Sequence, residues 1–212
     1  MVDMMNYKSY KWPFHIMMHP FEGFEDLRWK KAGSLKVAWT ITILFFLISV
    51  GTKQITGFIF NESQERIFNV VPTLVSSIVL ILMWAIGNWA AGTFLSGEGT
   101  LKNIFIFSTY ALVPKMIGDV IAIILSNVIV YNESMFMNIS TWLFTGWSIL
   151  LMFMAIKVVH QYKFWENIGA IILTIAAIFI MLFLAVLLLT MFQQIYVFFA
   201  TIWTEIVYRF NV

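Results

Sequence analysis

Five apolar runs follow one another along this chain, near residues 35–58, 72–95, 103–130, 138–158 and 167–192. An α-helix rises about 1.5 Å per residue, so each run suffices to cross a hydrocarbon core of about 30 Å. Within that core every backbone amide and carbonyl must find its partner inside the protein, which leaves helices or a closed barrel. The runs lack the period-two alternation of barrel strands, so the expected fold is all-α, a polytopic bundle of five transmembrane helices. Charged residues make up only 11% of the chain, against roughly 25% in soluble domains. No room is left for a separate soluble domain.

The span boundaries carry ordinary punctuation. Ser34 stands where a cap for the first span belongs, Pro72 opens the second, and Ser96, Gly97 and Gly99 predict a tight turn before the third. Lys8, Lys11, Arg28, Lys30, Lys31 and Lys36 precede the first span, Lys102 follows the second, and Lys157 and Lys163 separate the fourth from the fifth. Lys53, Arg66 and Arg209 fall on the opposite side. The excess of basic residues predicts a cytoplasmic N-terminus and an outer C-terminus. The chain thus divides into a cytoplasmic, interfacial segment over 1–34 and a membrane domain over 35–212. Residues 195–208 are too short to cross again and read as an outer-face extension; a sixth span would carry Arg209 inside, against the charge rule.

Residues 1–35 lack the apolar stretch of a cleaved leader. Instead Pro20, Glu22 and Glu25 early, Lys30 and Lys31 late, and Gly33 as terminator predict a short interfacial helix over 20–32. Phe21, Phe24 and Leu27 recur on one side, and Trp12, Phe14 and Trp29 read as aromatic anchors at the lipid headgroups.

Chemistry-bearing patterns are scarce. The chain has no cysteine, which removes disulfides, thiol nucleophiles and thiolate metal sites. A net charge of +2 without a basic stripe gives no basis for nucleic-acid binding. His15 and His19 read as too far apart for a metal pair, with Pro20 following. His160, between Lys157 and Lys163, reads as a lone surface histidine. Gly97-Glu98-Gly99-Thr100 follows a span rather than a strand and lacks phosphate-loop spacing. No cofactor, metal site or catalytic activity is expected. Asn61-Glu62-Ser63, Asn132-Glu133-Ser134 and Asn138-Ile139-Ser140 have the glycosylation triplet, a short pattern that also arises by chance.

Two features inside the spans stand out. Gly87 and Ala91 are small residues four apart that permit close helix contact, and Asn88 beside them can hydrogen-bond across it. Lys115 and Asp119 lie one turn apart after Pro114, and ionisable residues at membrane depth mark functional sites by default. In one reading they form a polar gate at a helix broken by Pro114. In the other, residues 101–112 lie along the cytoplasmic interface, Pro114 starts the true span, and Lys115 snorkels to the headgroups.

The hairpin Gly97-Glu98-Gly99-Thr100-Leu101-Lys102, the run Tyr110-Ala111-Leu112-Val113-Pro114 and the five-span layout resemble the Yip (Ypt/Rab-interacting protein) domain family. His19, Pro20, Gly23 and Phe24 are similar to an element that opens bacterial members. The resemblance implies a non-enzymatic protein of the lipid bilayer, and bacterial relatives include some associated with ABC transport systems. The Asp-Leu-Tyr-Gly-Pro type element through which eukaryotic relatives engage small GTPases is absent, so that partner is not carried over. Richness in Ile, Lys, Asn, Phe and Met fits a bacterial chain and its cytoplasmic membrane. The leading expectation is an accessory or scaffold protein docking to a membrane complex such as an ABC transporter. Its contact face would comprise Phe21, Phe24, Arg28, Gly97, Glu98, Gly99, Lys102 and His160. The alternatives are a small transporter or channel using Lys115, Asp119 and Asn88, and a membrane-shaping or trafficking protein.

Overall fold

The computed structural model of the chain describes residues 9–61 and 68–210. Lys8, Arg66 and the last two residues of the Asn61 triplet lie outside these. The described residues form helices and turns with no strand. In chain order the helices are α1 (Trp12–Met18), α2 (Pro20–Trp29), α3 (Leu35–Gln54), α4 (Val70–Phe94), α5 (Leu101–Ala111), α6 (Val113–Ser126), α7 (Ser134–His160) and α8 (Phe164–Phe210). Five segments are long and apolar enough to cross a membrane: α3, α4, α5 with α6, α7 with its lead-in from Tyr131, and α8.

Local chemistry sets the starts. Ser34 precedes α3 in an extended conformation but its hydroxyl makes no cap bond; its N–H donates to the Tyr110 hydroxyl at 3.3 Å instead. Asn69 caps α4 by accepting from the Val71 N–H, with Pro72 in the first turn. A widened π turn follows at Val75–Val79. Thr100 caps α5 by accepting from the Asn103 N–H.

The α5–α6 pair is the centre of the bundle. Every residue from Ile104 to Ala111 is buried, packed among α1, α3, α4 and α7. Pro114 does occupy the first turn of α6, yet beyond the exposed Leu101, Lys102 and Asn103 the preceding helix does not lie along a surface. The pair spans 26 residues and α7 spans 27, about 40 Å each. The two run side by side, for the Ser148 hydroxyl donates to the Ala111 carbonyl at 2.5 Å and Gly118 lies against Phe144. Ser148 is about 18 Å from the His160 end of α7. The break at Leu112 therefore falls near mid-bundle, and Ser148 supplies a donor to a carbonyl beside that break.

The N-terminal segment differs from expectation in three ways. First, α1 precedes the predicted helix and buries Trp12 and Ile16, so Trp12 is core rather than anchor. Gly23 lets α2 cross α1, since a Cβ there would stand 3.0 Å from the Ile16 Cα. Second, Phe24 and Leu27 are buried but Phe21 is 65% exposed; at 100° per residue Phe21 stands about 120° from Leu27. Third, α2 ends at Trp29, and Lys31, not Gly33, takes the left-handed conformation with φ 49°. The Ala32 N–H then donates to the Leu27 carbonyl at 3.3 Å. Gly33 serves close approach instead, a Cβ there lying 3.1 Å from Ile106 Cγ2.

Helix α8 runs unbroken through Gln193 and Gln194 to Phe210. Residues 195–208 are its continuation. It buries only Asn167, Ala170 and Thr174.

Candidate functional site

At one end of the bundle the α4–α5 hairpin folds over the end of α7. The His160 ring is 3% exposed, which corrects its expected surface position. Its Nε2 lies 2.9 Å from Asn88 Oδ1, and its Nδ1 accepts from the Gly99 N–H at 3.3 Å. Asn88 Nδ2 donates to Thr174 Oγ1 at 3.0 Å, and that hydroxyl donates to the Ala170 carbonyl at 2.7 Å. The chain of bonds joins the hairpin, α7, α4 and α8. Removing a buried member leaves its neighbours unpaired, at about 1–3 kcal/mol.

Three glycines make this contact sterically feasible. A Cβ at Gly92 would stand 2.5 Å from His160 Cε1, one at Gly99 would stand 2.7 Å from the same atom, and one at Gly97 would strike both His160 Nδ1 and the Tyr162 hydroxyl. The hairpin turns through Ser96 with φ 54°, and the Gly97 N–H closes it on the Gly92 carbonyl at 2.8 Å. Tyr162 stacks on His160 with centroids 4.9 Å apart. Burial, then the Glu166 carboxylate, pushes the Tyr162 hydroxyl above its ordinary pKa.

Arg28 ties α2 to this end. Its Nη1 donates to the Val158 and Val159 carbonyls, each at 2.6 Å, where a cation also complements the C-terminal dipole of α7. Its Nη2 pairs with Glu98 at 2.6 Å. A planar guanidinium serves three acceptors on two elements at once, which a lysine does not. Arg28, Gly97, Glu98, Gly99, His160 and Asn88 are thus brought together, and Lys102 lines a cavity beside Arg28 and Glu98. Phe24 is buried beneath, stacked on Phe107 at 5.6 Å, whereas Phe21 points away. Phe24 and His160 therefore build the face from within; they are not displayed on it.

Lys115 and Asp119 form a second, separate centre. Lys115 Nζ donates to both Asp119 carboxylate oxygens, at 2.9 and 2.7 Å, and stands 5.7 Å from the Phe45 ring centroid. Asp119 lines a cavity of about 290 Å³ with Thr52, Lys53, Thr56, Asn61 and Thr141. Lys115 lines a groove of about 320 Å³ with Leu112, Thr145, Ser148 and Met152. The pair lies between the two. No cluster of three metal-ligating side chains exists among the described residues. His15 and His19, expected to lie apart, stack with centroids 5.1 Å apart.

The sequence reading missed Gly92, Thr174 and Tyr162 as members of the His160 cluster. The signal was present in the spacing of glycines 92, 97 and 99, which is what a backbone needs to close over a ring.

These features define a polytopic α-helical membrane protein whose hairpin and N-terminal helices lock one end of a five-span bundle. The chain belongs to the Yip1 domain family, whose model matches residues 14–188. No curated protein and no solved structure matches it.

Proposed function

We propose that this protein is a non-enzymatic accessory or scaffold of a bacterial cytoplasmic membrane, docking to a membrane complex such as an ABC transporter. In this reading the N-terminus, the α4–α5 hairpin and the α7–α8 link face the cytoplasm, as their lysines and arginines favour. The observation that carries it is the Arg28 clamp. It joins three chain-distant segments into one platform, beside which Phe21 and Trp29 are 65% and 71% exposed. Exposed aromatics on a rigid base are the usual anchors of protein contacts. Affinity purification in mild detergent at native expression should recover a stoichiometric partner, and Phe21→Ser with Trp29→Ser should release it. Recovery of a solitary monomer would count against the scaffold.

A second reading rests on the cavities flanking Lys115 and Asp119. A polar path through the bundle would use that ion pair as its gate. Proteoliposomes should then lose ion or solute flux on Asp119→Asn. Equal flux from the variant and wild type removes this reading.

A further inference from the structure

Between the end of α2 and the start of α5 lies a cavity of about 400 Å³, lined by Arg28, Trp29, Lys31, Glu98, Lys102 and Asn103. Three cations and one carboxylate line it, and that carboxylate, Glu98, is already held by Arg28. Neither Lys31 nor Lys102 has an ion pair among the described residues. Two local rules are broken at this spot. Lys31 occupies the left-handed position that ends α2, where glycine is the residue of choice. Lys102 sits in the first turn of α5, a turn without an acidic residue, where the positive end of the helix dipole disfavours a cation. An anion in the cavity would reconcile both lysines with their positions. Observed backbone outliers of this kind are a sound starting point for a functional hypothesis.

We infer that this cavity is a binding site for a phosphoryl anion, supplied by the headgroup of an anionic phospholipid or by a soluble phosphate. Trp29 at its rim is 71% exposed, as an aromatic at headgroup level would be, and basic pockets between membrane helices suit anionic headgroups. The α5 N-terminus adds a favourable dipole, and Asn103 adds an amide donor. The site shares Arg28, Trp29, Glu98 and Lys102 with the proposed docking face, but it fills in a solitary monomer, so its failure and that of the scaffold are read separately.

The test is thermal unfolding of the purified full chain in detergent, with phosphatidylglycerol, phosphatidylcholine, glycerol phosphate or inorganic phosphate added in turn. Phosphatidylglycerol should raise the midpoint of the wild type by about 3 °C or more, and phosphatidylcholine should not. Lys31→Gly should raise the lipid-free midpoint by relieving the left-handed backbone, and combined with Lys102→Gln should abolish the phosphatidylglycerol increment. Lys36→Gln, outside the cavity, should retain it. An equal increment from inorganic phosphate or glycerol phosphate, lost in the same double variant, supports the site with a soluble ligand. A full increment in the double variant, an equal response to phosphatidylcholine, or no response to any of the four overturns the inference.

Discussion

The third span and the last helix are both apolar segments of one bundle, yet they meet opposite surroundings. In the most apolar stretch of the α5–α6 span 72% of residues are buried by protein, whereas in that of α8 the share is 6%. Mean hydropathy runs the other way, 1.5 against 3.2. In a soluble protein the more apolar helix would be the inner one. Where lipid is the surrounding medium, apolar side chains gain nothing by leaving it, so polar and small residues turn inward and decide the packing. The inner span accordingly carries Ser108, Thr109 and Tyr110, all buried. On α8 the buried positions are Asn167, Ala170 and Thr174.

The sharpest way to break this contrast is one substitution on each helix. A Cβ at Gly118 would stand 2.5 Å from that of Phe144, so Gly118→Ala should destabilise by about 1–3 kcal/mol. Nothing lies within 4 Å of a Cβ at Gly169, where Gly→Ala should instead stabilise by up to about 1 kcal/mol. Equal responses in reversible unfolding would undo the distinction. Asn88→Ala should cost about 1–3 kcal/mol by stranding His160 and Thr174, and should loosen the hairpin in hydrogen exchange. A smaller effect concerns α1, for burial and then the His19 ring lower the His15 pKa. The unfolded form takes up that proton first, so its contribution is complete above about pH 6.5 and is lost as pH falls below it. The protection of α1 amides, measured by hydrogen exchange relative to the intrinsic rate at each pH, should therefore fall between pH 7 and 5, and His15→Gln should flatten that response. The smallest effect is truncation after Phe192. Every described residue beyond it is exposed, so unfolding of the remaining bundle should shift by less than about 0.5 kcal/mol.

The number of spans was legible because a bilayer imposes length and apolarity on whatever crosses it. The side of each helix that meets protein was not. Hydropathy measures transfer from water, and it is silent on whether Trp12 faces lipid or the protein core. Pro114 does start a helix, but the excess length before it is not a surface segment, because the neighbouring α7 is as long and covers it. Asn88 was legible, since an amide among small residues in a span has to be paired. His160 was not, because its partners Asn88, Gly99 and Tyr162 come from α4, the hairpin and the α7–α8 link, and no local pattern near it names them all.

The bonds through His160 have a direction. One end is a peptide N–H at Gly99 and the other a peptide carbonyl at Ala170, and neither can exchange roles. The imidazole must therefore carry its proton on Nε2, and the Asn88 amide must present its oxygen to it and its nitrogen to Thr174. No member can be turned over alone. The backbone of the hairpin and that of the last helix thus read one another through three side chains, so a slip of α8 along its axis would be reported at Gly99.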